Sequence, residues 1–156
     1  MLNWIGGAVN YSNFFYINLY DELIKNSYEL VQEPLFSITS QLTGSTKNFL
    51  PFTMDSTNYE RYYKFEIKNV PTEIPPIFYP VTGCIRLGDS DFPFGLYDVK
   101  IYQNDPGYPS NVDPTASHVL KQLYTGLLNV KAGVAPTTYT EYTTNDSDTE
   151  SVYITI

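Results

Sequence analysis

Three stretches of this 156-residue chain alternate apolar and polar side chains with a period of two, and that period constrains the fold most. NFFYINLY, at 13–20, puts Phe15, Ile17 and Leu19 on one face and Phe14, Tyr16, Asn18 and Tyr20 on the other. ERYYKFEIK, at 60–68, turns Tyr63, Phe65 and Ile67 one way and Tyr62, Lys64, Glu66 and Lys68 the other. GLYDVKIYQN, from Gly95, alternates Tyr97, Val99 and Ile101 with Asp98 and Lys100. Successive side chains of a strand point to opposite faces, so each pattern predicts a strand with one face on a core and one in water. Aromatic residues make up 16% of the chain, with fifteen Tyr and nine Phe, and these suit a half-buried pleated surface. Eleven Pro and nine Gly interrupt the pattern often enough to predict short strands joined by many turns.

The remaining segments fill in around these strands. Residues 35–43, LFSITSQLT, predict a strand with Phe36 and Ile38 on one face, followed by a turn at Gly44-Ser45-Thr46. Residues 47–54, KNFLPFTM, predict a further strand at a sheet edge, because Pro51 has no N–H for a ladder. Residues 21–32 predict a turn at Asn26-Ser27 between strand ends, with a short helix as the alternative. Four prolines make NVPTEIPPIFYP a loop, with a short strand at 77–79. Residues 81–87 predict a short strand holding Cys84 as a small hydrophobe, and 88–91 a turn. A long loop from Asn104 to Ser117 leads to a strand at 121–131. Strands at 139–143 and 151–156 flank the turn Asn145-Asp146-Ser147. The expected class is all-β: a single β-sandwich, immunoglobulin-like or jelly-roll-like, of about eight short strands with extended termini. Residues 1–12 are expected to form an N-terminal arm and residues 13–156 the sandwich.

Charge and residue inventory narrow the chemistry. The formal net charge is −8, and the nine Lys and Arg are scattered singly, which argues against a phosphate-binding surface. One cysteine, Cys84, permits no intrachain disulfide and no zinc site built on several thiolates. The N-terminal residues predict no secretory leader, and no stretch approaches the ~20 apolar residues of a membrane span. The single histidine, His118, has no nucleophile elbow for company. No Walker loop, dinucleotide fingerprint or Cys-x-x-Cys occurs, so neither catalytic residues nor a cofactor are assigned. Two acidic turns supply weak calcium candidates, Asp89 and Asp91 in one and Asp146, Asp148 and Glu150 in the other. Asp, Asn and Ser are equally the ordinary residues of exposed turns, and neither site matches the EF-hand spacing. Exposed tyrosines also fit sugar stacking, which leaves a carbohydrate-binding sandwich module as an alternative.

Several motifs, in order, resemble a known group. They are Arg61-Tyr62 with Phe65, then Gly95-Leu96-Tyr97 with Ile101-Tyr102, then Asn111-Val112-Asp113-Pro114, then Thr125-Gly126 with Val130. Preceded by the Phe/Tyr-rich strand at 13–20, this order resembles small β-rich virion structural proteins of tailed phages of Bacteroidetes, crAss-like phages among them. Asp98-Val99 and Val112 depart from the group's pattern. The resemblance spans residues 13–131 and implies a non-catalytic virion subunit, assembled in the host bacterial cytoplasm. A capsid auxiliary or decoration protein is the first expectation, with a head–tail connector or tail component as the alternative. The implied partners are other virion proteins, such as the major capsid protein or connector subunits, together with further copies of the chain. Direct contact with nucleic acid or membrane is not expected. Strand addition at edges and contact through the long loop would supply the interfaces, with Trp4, Tyr108, Asn111, Asp113 and Tyr153 as the expected contact residues.

Overall fold

The computed structural model describes residues 1–6, 11–25, 33–71, 83–108 and 111–133, together with the strands at 140–142 and 152–154. Two sheets pack face to face. The first is five-stranded and is built from β1 (Leu2–Gly6), β3 (Pro34–Ser40), β4 (Thr46–Phe49), β8 (Gly95–Asn104) and β9 (Val119–Ala132), in the order β1-β9-β8-β3-β4. The second holds β2 (Tyr11–Ile17), β5 (Thr53–Asp55), β6 (Tyr63–Asn69) and β7 (Cys84–Ile85). Here β6 is central: β2 lies along one side, while β5 and β7 share the other, pairing with residues 64–66 and 68–69. One helix, α1 (Tyr20–Lys25), follows β2. The expected all-β sandwich is the fold observed.

The alternating segments behave as their period demands. Tyr63, Phe65 and Ile67 of β6, Phe15 and Ile17 of β2, and Tyr97, Val99 and Ile101 of β8 all enter one core. Phe36 of the larger sheet meets Phe65 of the smaller one edge-on, with ring centroids 5.1 Å apart. Phe36 also stacks on Phe49 of the neighbouring strand at 5.5 Å. Burying a side chain of this size removes enough apolar surface from water to contribute about 1.5–3 kcal/mol. The core therefore joins aromatic rings such as Phe15, Phe36 and Phe65 to a larger set of Ile, Leu and Val side chains.

Four sequence expectations are corrected. Residues 20–25 form a helix, the alternative expectation, rather than a strand end, because the Asn18 side chain accepts from the Tyr20 N–H and the Leu19 carbonyl accepts from the Leu23 N–H; the turn expected at Asn26-Ser27 lies outside the described residues. Leu23 drops into the core, and a Glu22–Lys25 ion pair lies on the outside. Residues 47–54 are two strands in different sheets. The chain leaves the larger sheet after Phe49, crosses at Pro51 and enters the smaller sheet, where the Phe52 N–H donates to the Glu66 carbonyl. The expected strand at 81–87 shortens to Cys84–Ile85 among the described residues. Gly83 permits that pairing, since its φ is +56° and a side chain there would collide with the Phe52 backbone.

The fourth correction concerns Trp4. Residues 2–6 of the expected arm form β1, paired in parallel with β9 from Leu2 opposite Leu128 to Gly6 opposite Ala132. Trp4 is 1% exposed and stacks on Phe15 at 6.1 Å, so it is a core residue and not a contact for a neighbour. The buried amide of Asn13 ties this edge to the other sheet: its Oδ1 accepts from the Ile5 N–H at 2.8 Å. β10 (Thr140–Tyr142) and β11 (Val152–Ile154) pair antiparallel as a separate two-stranded sheet. The expected short strand at 77–79 lies outside the described residues.

Candidate interaction surfaces

An apolar void of about 10 Å³ lies between Trp4, Phe15, Phe36 and Ile67, roughly the least space that admits one water. Two places on the outside present side chains to a partner.

The first is the connection between β8 and β9. Two register shifts, between Ile101 and Tyr102 and between Gln103 and Asn104, bend β8 at its end. Gln103 and Asn104 are both buried there. Asn104 braces the loop: its Nδ2 donates to the Asn111 carbonyl at 3.0 Å, and its Oδ1 accepts from Asn111 Nδ2 at 3.1 Å. Asn111 Oδ1 accepts from the Asp113 N–H, and Asp113 Oδ1 accepts from both the N–H and the hydroxyl of Thr115. The hydroxyl bond first, and then the backbone bond, hold the Asp113 carboxyl below the ordinary carboxylate range. Asp105 makes the matching turn on the other limb, accepting from the Gly107 N–H. The expected contact residues Asn111 and Asp113 thus brace the loop, and Asp113 is exposed while it does so. Tyr108 is presented as well: it is 51% exposed, and its ring lies flat on His118 at 3.9 Å. The lone histidine is a stacking partner in this loop.

The second place is the outer face of the smaller sheet. Register places Glu66 between Phe14 and Thr53, Lys64 between Tyr16 and Asp55, and Lys68 opposite Ser12. Glu66 is fixed by the hydroxyls of Ser12 and Thr53, which donate to its two oxygens at 2.6 and 2.9 Å. The Ser12 bond is the main cause holding this carboxyl below its ordinary range, with Thr53, Lys68 and Lys64 adding to it. Lys64 Nζ lies 4.5 Å from the centroid of the Phe14 ring, and Lys68 Nζ lies 3.6 Å from that of Phe52. Tyr16 meets Tyr62 edge-on at 5.3 Å. No residue of this face was among the expected contacts. Its signal was present in the outward positions of 13–20 and 60–68, but only the pairing of β2 with β6 makes those positions one surface.

The acidic turn at 88–91 uses its carboxylate internally. Asp89 Oδ1 accepts from the N–H groups of Asp91 and Phe92, and its Oδ2 faces Arg86 Nε at 3.9 Å. Among the described residues, no three His, Cys, Asp or Glu side chains converge as a metal site would require. Asp146, Asp148 and Glu150 lie outside the described residues, and Tyr153 is described only as part of β11. Cys84 is partly exposed and pairs in register with Lys68. No helix among the described residues is long and apolar enough to cross a membrane. No protein-family model matches the chain, and no curated protein or solved structure matches it either.

Proposed function

We propose that this protein is a structural subunit of a tailed-phage particle, most simply a capsid auxiliary protein that binds other virion subunits and acts without catalysis. The observation that carries the reading is the β8–β9 loop. The motif Asn111-Val112-Asp113-Pro114, part of the resemblance to phage virion proteins, supplies the bonds that stiffen this loop around exposed Tyr108. A loop held in one shape before contact loses little conformational freedom on binding, which favours a repeated lattice contact. Thr125-Gly126, another of the motifs, serves packing: a side chain at Gly126 would collide with the Tyr124 hydroxyl.

Mass spectrometry of purified particles carrying this gene product is the test, with the protein expected in many copies per particle. Its absence from particles that retain their other structural proteins would overturn the proposal. A chain with residues 105–117 replaced by a short Gly-Ser link is expected to keep its fold and lose incorporation.

A further inference from the structure

We propose that the outer face of the four-stranded sheet binds a neutral glycan chain. The face is a grid fixed by strand register, with Phe14, Glu66 and Thr53 in one row and Tyr16, Lys64 and Asp55 in the next. Phe14 and Tyr16 keep 46% and 56% of their surface in water although both sit in the middle of a paired strand. Rings left half exposed on a sheet face offer apolar area to the C–H face of a sugar ring. The side chains between them are already oriented as hydrogen-bonding partners for hydroxyls. Glu66 is held by Ser12 and Thr53, and Asp55 by the N–H and hydroxyl of Thr57. Lys64 and Lys68 are held against rings. Such preorganisation lowers the ordering cost of binding a flexible chain.

The same residues disfavour the other classes of partner. The centre of a protein–protein interface is depleted in Lys, Glu and Asp, whereas these residues stand in the middle of this face. A nucleic acid needs an excess of positive charge, yet Lys64 and Lys68 are balanced here by Glu66 and Asp55. A face whose charges cancel suits an uncharged polyhydroxylated chain. The face also leads somewhere. Tyr16 packs on Tyr62, whose hydroxyl meets Asn58 Nδ2 at 3.4 Å. Asn58 lines a polar hollow of about 150 Å³ with Thr57, Tyr59, Glu60 and Arg61.

The inference does not rest on the virion reading, because it concerns the isolated chain. The labelled full-length protein is applied to an array of neutral gluco-, manno-, galacto- and xylo-configured oligosaccharides, and the best one is titrated by calorimetry. Binding is expected, with Kd weakened about tenfold or more, roughly 1.4 kcal/mol, in Phe14→Ala and Tyr16→Ala. It is expected to be unchanged in Leu120→Ala, another exposed apolar residue. Equal Tm values establish that the ring variants fold. If they do not fold, chemical shifts of the Phe14, Tyr16 and Glu66 backbone amides in the wild-type protein give the same reading on addition of the oligosaccharide. Four outcomes overturn the inference: no neutral oligosaccharide bound, binding unaffected by loss of the rings, unmoved amides, or binding confined to acidic glycans or nucleic acid.

Discussion

Phe14 and Phe15 are neighbours of the same residue type, and the fold gives them opposite fates. Phe15 is 4% exposed and stacks on Trp4, while Phe14 is 46% exposed and carries Lys64 over its ring. Across the ladder, Phe65 is fully buried, while Glu66 beside it faces water and accepts from two hydroxyls. The inner face of the β2–β6 pair is a packed aromatic core, and the outer face is a polar grid bearing exposed rings. Hydrophobicity alone does not assign these residues; their parity along the strand does. An aromatic ring on the outward parity is available for recognition, and one on the inward parity is committed to stability.

The comparison can be broken most directly at Phe65. Phe65→Ala removes a ring packed between Phe36 and Tyr63 and is expected to cost about 3–5 kcal/mol in urea unfolding. A loss no larger than that of an outer-face variant would erase the distinction between the faces. Asn13→Ala tests the one polar residue on the inner parity of β2. Without its Oδ1 the Ile5 N–H loses its acceptor, and a cost of about 1–3 kcal/mol is expected by the same measurement. An unchanged midpoint would mean that this bond does not tie the β1 edge to the smaller sheet.

A third test uses pH on the inner face of the other sheet. Tyr97 is pushed up to about 12, chiefly by burial, with Asp89's charge adding and a Ser40 hydrogen bond opposing. Its hydroxyl donates to the Pro93 carbonyl at 2.6 Å. In the unfolded chain a tyrosine ionises near about 10. Between these values the unfolded chain releases a proton that the folded chain keeps. The contribution is therefore intact below about pH 10 and is lost as pH rises toward 12. Tyr97→Phe is expected to flatten that alkaline decline in Tm; an identical slope would exclude Tyr97 as its source. The smallest effect belongs to the outer face, where Phe14→Ala and Tyr16→Ala should each shift stability by no more than about 0.5 kcal/mol. A larger loss would show that these rings are structural.

Much of the sandwich was legible because alternation survives in a linear reading. The inward sets at 13–20, 60–68 and 95–101 all entered the core. Segments whose fate depends on a distant partner were not legible. Residues 47–54 read as one strand, since nothing local says that the chain changes sheets at Pro51. Residues 21–32 leave a strand end and a short helix open, because a segment of that length is too short for periodicity to separate them; α1 covers only Tyr20–Lys25. Trp4 was assigned to an interface because its burial comes from β9 and Phe15, which its own segment does not reveal. β3 was expected to bury one face, yet Leu35, Ser37 and Ser40 are buried as well as Phe36 and Ile38.

The candidate surfaces divide in the same way. The β8–β9 loop is visible as a long polar stretch holding Tyr108, Asn111 and Asp113. Only the fold shows that Asn111 braces it, because Asn104 reaches Asn111 across seven residues. That the chain makes strands, and which parity each main one buries, follow from local geometry and are written in the residues. Which strands are neighbours comes from the folded arrangement alone. That pairing makes Ser12, Phe14, Tyr16, Thr53, Asp55, Lys64, Glu66 and Lys68 one face, because it is set by contacts between residues far apart in the chain, which no local pattern encodes.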